Sequence, residues 1–93
     1  MYRIEIKKSA QKELSQISFP YNKKIVEAIE DLALDPRPAG AKKLKGSEAY
    51  RIRVADYRII YTIEDVIKVI EVQRIRHRKD AYKTQRCASM LNL

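Results

Sequence analysis

The stretch Tyr50-Arg51-Ile52-Arg53-Val54-Ala55-Asp56-Tyr57-Arg58-Ile59-Ile60-Tyr61 constrains the fold more than any other part of this chain. It alternates apolar and basic residues, and a period of two is the signature of a strand. Ala55-Asp56 is short and polar enough to serve as a two-residue hairpin loop. With that loop, Val54 faces Tyr57 and Arg53 faces Arg58 across the pair. Successive side chains leave a strand on opposite faces. Tyr50, Ile52, Val54, Tyr57, Ile59 and Tyr61 then share one face, and Arg51, Arg53 and Arg58 share the other beside Ile60. Like charges directly opposite one another destabilise a sheet pair. Charged solvent-facing positions also discourage edge-to-edge association, which is the ordinary reason for one arginine on a strand. Three on one face with no interleaved acid point instead to an anionic ligand. The planar guanidinium fork suits phosphate.

The rest of the composition narrows the function classes. The 93 residues are enough for one domain with a modest core. A hydrophobic content of 45% argues against global disorder. The two glycines, Gly40 and Gly46, do not make a glycine-rich phosphate loop. One cysteine, Cys87, and one histidine, His77, leave no zinc-ligand set, and no metal or other cofactor is expected. No apolar run approaches membrane length and no signal peptide opens the chain, so a cytoplasmic location and no membrane partner are expected. The formal net charge is +8, a field that favours polyanions. From Arg74 to Arg86, six cations (Arg74, Arg76, Arg78, Lys79, Lys83 and Arg86) stand against one acid, Asp80.

Tyr2 to Ile6 alternates and reads as a first strand. Ser9 is a plausible N-cap for a short helix carrying Ala10, Leu14 and Ile17. Pro20 suits the first turn of a second helix. That helix carries the stripe Ile25, Val26, Ile29, Leu32 and Ala33, and should end near Leu34 because Asp35-Pro36 and Pro38 cannot continue it. Arg37 to Ala49 reads as a lysine-rich loop whose Lys42, Lys43 and Lys45 extend the positive surface. The hairpin runs from Tyr50 to Ile63, Glu64-Asp65 turns the chain, and Val66 to Ile75 forms the last strand, of mixed parity. Tyr2, Tyr50, Tyr57 and Tyr61 read as core, with hydroxyls at the rim. The expected class is α+β: strand, helix, helix, then an antiparallel β-meander, with the helices on one face and an open arginine-rich face opposite. Residues 1–83 form the single domain, and 84–93 a tail or short helix.

The motifs Leu44-Lys45-Gly46, Tyr50-Arg51-Ile52-Arg53-Val54, Asp56-Tyr57-Arg58-Ile59-Ile60-Tyr61 and Ile75-Arg76-His77-Arg78-Lys79-Asp80-Ala81-Tyr82 together resemble the RelE/ParE toxin superfamily of type II toxin–antitoxin systems. The resemblance covers roughly residues 2–83. Its RelE-like branch implies a ribosome-dependent mRNA endoribonuclease that inhibits translation. In that branch the substrate's own 2′-OH attacks the scissile phosphate without a metal. The resemblance implies catalytic roles for Arg51, Arg53, Arg58 and Tyr82. The family often has Lys where this chain has Arg51 and Arg53, a departure that keeps the charge. An arginine past the last strand falls on Arg78 or Arg76, with strand register favouring Arg78. His77 is the residue whose intrinsic pKa suits proton transfer. Arg76, Lys45 and Lys79 are expected to bind substrate. The implied partners are a cognate RelB-like antitoxin, the ribosome and mRNA, with DNA reached only through the antitoxin complex. Two other readings stand beside this one: a ParE-like DNA gyrase inhibitor without nuclease activity, and a non-catalytic RNA- or ribosome-binding module.

Overall fold

The computed structural model describes residues 1–77. Its elements in chain order are β1 (Arg3–Ile6), α1 (Lys8–Ser15), α2 (Tyr21–Leu32), β2 (Lys42–Lys43), β3 (Tyr50–Val54), β4 (Tyr57–Glu64) and β5 (Val69–His77). They form a five-stranded sheet in the order β1-β5-β4-β3-β2. The α+β class and the two helices against the sheet agree with expectation. The sheet is mixed, however. β2 to β5 run antiparallel in sequence order, while β1 lies parallel to β5, pairing Arg3 with Val69 and Ile6 with Val72. The expected boundary at residue 83 and the tail 84–93 lie outside the described residues.

The hairpin has the register read from the sequence. Tyr50 faces Tyr61, Ile52 faces Ile59, Arg53 faces Arg58 and Val54 faces Tyr57. Ala55 takes the left-handed conformation in the loop, with φ of 54°. A Cβ is disfavoured there by about 1–2 kcal/mol, and glycine is not. Ala55→Gly is therefore expected to raise the melting temperature by about 4–8 °C, the shift that ~1 kcal/mol gives in a domain of this size. Thermal unfolding followed by circular dichroism checks it.

The last strand departs from the sequence reading in two ways. Val66 and Ile67 belong to the β4–β5 turn, not to the strand. Lys68 closes that turn with φ of 54°, and Val66 is 93% exposed. The mixed parity of the strand has a local cause. The pairing with β4 shifts between Ile60, opposite Arg74, and Tyr61, opposite Val72, so Gln73 is bulged out of the ladder. A bulge adds one residue to one strand and reverses the parity beyond it. Ile70 and Val72 before the bulge, and Ile75 after it, can thus all face the helices.

The core joins Ala10 of α1 and Ile25, Ile29 and Leu32 of α2 to Ile52, Ile59, Tyr61, Ile70, Val72 and Ile75 of the sheet. Val26, expected in the apolar stripe, is exposed at the edge of the α2 face. Ser9 lies inside α1 rather than capping it. The N-cap is Lys7, and the Ser9 hydroxyl donates to the Gln73 carbonyl at 3.4 Å. Pro20 stands at the N-cap of α2, and Ala33 caps its C-terminus.

A polar clasp closes the sheet end opposite the β3–β4 turn. The Arg37 guanidinium donates to Asp65 at 3.0 Å and to the Tyr50 hydroxyl at 3.2 Å, and the Tyr2 hydroxyl donates to Asp65 at 2.7 Å. Buried Tyr61 donates to the Pro36 carbonyl at 2.8 Å, pinning the segment that leaves α2. The Arg37 and Tyr2 hydrogen bonds hold the Asp65 carboxyl below its ordinary pKa. A carboxyl depressed in the fold stabilises above its unfolded pKa, and that contribution is lost as pH falls through the lower folded value. Asp65→Asn should therefore flatten the decline of melting temperature below about pH 4. Burial pushes Tyr61 up to about 12, so its contribution is lost on the alkaline side, as pH rises from its unfolded value toward that one.

Candidate nucleic-acid interface

The register of three adjacent strands builds the site. Arg53 of β3 stands opposite Arg58 of β4, and Arg58 stands opposite Arg76 of β5. Neighbouring strands lie about 4.8 Å apart, so these positions form a row across the sheet. The next row on the same face holds Lys42, Arg51, Ile60 and Arg74 in turn. Partial burial lowers the Arg51 pKa, and the neighbouring positive charges of Arg53 and Arg58 add to that effect. The face is a rigid two-row array of cations backed by the core. Such an array can offer hydrogen-bond donors and positive charge to phosphate oxygens.

Of the two candidate arginines past the last strand, Arg76 stands in the row; Arg78, Lys79 and Tyr82 lie outside the described residues. His77 stands on the opposite face of β5 from Arg76. It pairs with Tyr57 on the helix-facing side, with ring centroids 4.9 Å apart in an edge-to-face arrangement. Lys45 is exposed in the turn before β3, at the opposite end of that strand from Arg53. Lys42 and Lys43 are not on a featureless loop but form β2, where Lys42 pairs with Arg51. Among the described residues no group of three or more His, Cys, Asp or Glu side chains is placed to hold a metal ion. No helix there is long and apolar enough to cross a membrane.

One contributor escapes the sequence reading. Among the described residues no strand flanks β5 on its β1 side beyond Val72, and α1 packs against β5 instead. Glu13 of α1 accepts the Ile75 backbone N–H at 2.9 Å, closing the exposed strand edge. The same carboxylate accepts from Arg74 Nε at 3.3 Å and Arg74 Nη2 at 3.1 Å, and lies 3.8 Å from Arg76 Nε. Glu13 thus engages the guanidiniums of the two β5 arginines beside the edge of that strand. The sequence signal is its place in the helix. Ala10, Leu14 and Ile17 fall at i, i+4 and i+7, and Glu13 fills the i+3 position of the same apolar stripe.

The fold, a five-stranded sheet with two helices on one face, is that of a small toxin class, as comparisons with known proteins show. Residues 4–82 match the family model described as ParE toxin of type II toxin–antitoxin system, parDE. A toxin candidate named RelE1 from Methanocaldococcus jannaschii is 35% identical over 86 residues, covering 88% of this chain and 96% of that protein. The crystal structure of the archaeal RelE–RelB complex from Pyrococcus horikoshii superposes with a TM-score of 0.75 at 30% identity, over 83% of this chain and 94% of that one. The RelB–RelE antitoxin–toxin complex from Methanococcus jannaschii gives 0.70 at 28%, over 86% and 96%. The chain belongs to the RelE/ParE superfamily of type II toxin–antitoxin toxins.

Proposed function

We propose that this toxin is a ribosome-dependent mRNA endoribonuclease, and that the Arg53–Arg58–Arg76 row with Arg51 beside it is its phosphate site. In the reaction the 2′-OH oxygen attacks the adjacent phosphorus and loses its proton. The bond from phosphorus to the 5′ oxygen breaks, and that oxygen is protonated. A 2′,3′-cyclic phosphate and a 5′-OH result. The phosphorane on the way carries extra negative charge, and cations already fixed around it stabilise that charge without reorganising. Arginine holds its proton near neutrality, so proton transfer requires other groups. Tyr82 takes that role or stacks on a splayed base. The net charge of +8 supplies the salt-dependent grip on ribosomal RNA. A RelB-like antitoxin is the partner by analogy with the two archaeal complexes, and an acidic segment would complement the basic face in charge.

The observation that carries this reading is the row itself. It concentrates like charges at a cost to folding; Glu13 offsets that cost at the Arg76 end, and an anionic substrate offsets it at Arg53 and Arg58. The matching ParE model raises the alternative of a gyrase inhibitor. Translation-dependent cleavage of mRNA by the purified toxin, run beside a gyrase supercoiling assay, separates the two. Inhibition of supercoiling without mRNA cleavage overturns the nuclease reading. His77→Gln is expected to leave the single-turnover rate within about threefold and its pH profile unchanged, because His77 faces the helices. Loss of an inflection near about pH 6–7 would assign proton transfer to His77 instead.

A further inference from the structure

β2 is two residues long and pairs only Tyr50 and Arg51 of β3, so, among the described residues, 52–54 have no strand partner on that edge. Between that edge and α2 lies a cavity of about 530 Å³. Its floor is apolar, made by Ala28 and Leu32 of α2 with Ile52 and Val54 of β3. One wall carries Asp31 and Asp35, and the other carries Lys42, Arg51 and Arg53. The Asp35 carboxylate also accepts the Arg37 backbone N–H at 3.3 Å, which fixes its direction.

Three properties define the occupant. The volume falls in the range of small-molecule sites, with room for one nucleotide. The apolar floor suits the flat face of a ring. Arg51 and Arg53 belong both to this wall and to the arginine face, so a phosphate on the arginines places an adjoining base within reach of that β3 edge. The two carboxylates then set selectivity. Beside a polyanion site they oppose binding unless they accept hydrogen bonds, and a carboxylate accepts well from an exocyclic amino group such as cytosine N4. Uracil presents a carbonyl oxygen at the same position and repels them.

We infer that this cavity is a nucleobase subsite for a nucleotide adjoining the phosphate on the arginine face, and that it selects bases bearing an exocyclic amino group. The inference rests on the RNA reading of that face, and the test separates the two. Isotopically labelled full-length toxin is titrated with CMP and with UMP and followed by NMR. CMP is expected to shift the methyl signals of Ala28 and Leu32 of α2 and to bind about fivefold or more tightly than UMP. UMP is expected to shift only the arginine strands. In Asp31→Asn/Asp35→Asn, changed at two exposed positions, the CMP preference should fall to about one while the arginine-strand shifts persist. Ala28→Phe, which fills the cavity, should remove the methyl shifts. If it does not fold, the paired aspartate variant decides alone. Equal affinity for the two nucleotides, or CMP shifts confined to the arginine strands, overturns the subsite and leaves the phosphate reading standing. No shift with either nucleotide overturns both. A cavity that responds to a tetraglutamate peptide and not to CMP is a protein-docking surface, which also overturns the inference.

Discussion

Arg58→Ala is expected to lower the single-turnover rate of ribosome-dependent mRNA cleavage by about 10²–10³, the usual loss when one preorganised transition-state donor is removed. Arg58 is the position to choose because it lies on the middle strand of the row, flanked directly by Arg53 and Arg76. A phosphate bridging the row therefore loses its central contact. Lys23→Ala, an equal change of charge at an exposed position in the first turn of α2, should cost less than about threefold. The same Arg58→Ala protein should melt at an equal or higher temperature than the parent, because the substitution relieves like-charge contacts of about 0.2–1 kcal/mol each. Activity and stability then move in opposite directions, which distinguishes a functional residue from a structural one. Equal activity losses in the two variants would show that bulk charge, not a site, drives cleavage. A marked loss of stability in Arg58→Ala would show that the arginine row serves the fold.

The parts of this architecture legible in the sequence are those set by local periodicity. Residues 50–61 alternate around a two-residue loop, with Ile60 the one apolar residue on the arginine face, so their pairing and the two faces follow from the order of residues. The α2 stripe follows from its spacing in the same way: Ile25, Ile29 and Leu32 are buried. What was not legible depends on distant partners. The parallel pairing of β1 with β5 joins residues more than sixty positions apart and leaves no local trace. The bulge at Gln73 reverses the strand parity, so the apolar pattern of β5 looks two-sided although Ile70, Val72 and Ile75 share the core. Val66 and Ile67 have strong strand propensity, yet the left-handed Lys68 places them in an exposed turn. His77 shows the functional consequence of register. It is adjacent in sequence to Arg76, but alternation turns it to the opposite face, against Tyr57.

Glu13 is where fold and candidate site depend on one side chain. A lone carboxylate in an apolar helical stripe is unfavourable unless it has charged or hydrogen-bonding partners. Here it has the Arg74 guanidinium and the Ile75 N–H, with Arg76 close behind. Glu13→Ala removes the carboxylate, leaves the β5 edge without its acceptor and releases two arginines. The expected cost is about 1.5–3 kcal/mol, the range for hydrogen bonds to charged groups. That corresponds to a fall of roughly 6–20 °C in melting temperature. Glu13→Gln keeps an oxygen for the Ile75 N–H and loses the charge that attracts the arginines. It should recover part of the stability and, under the nuclease reading, still cleave more slowly than the parent, because Arg76 is held less firmly in the row. Rates are compared at a temperature where circular dichroism shows both variants folded. Full activity in folded Glu13→Gln would confine Glu13 to closing the strand edge. Unchanged melting in Glu13→Ala would remove it from both roles.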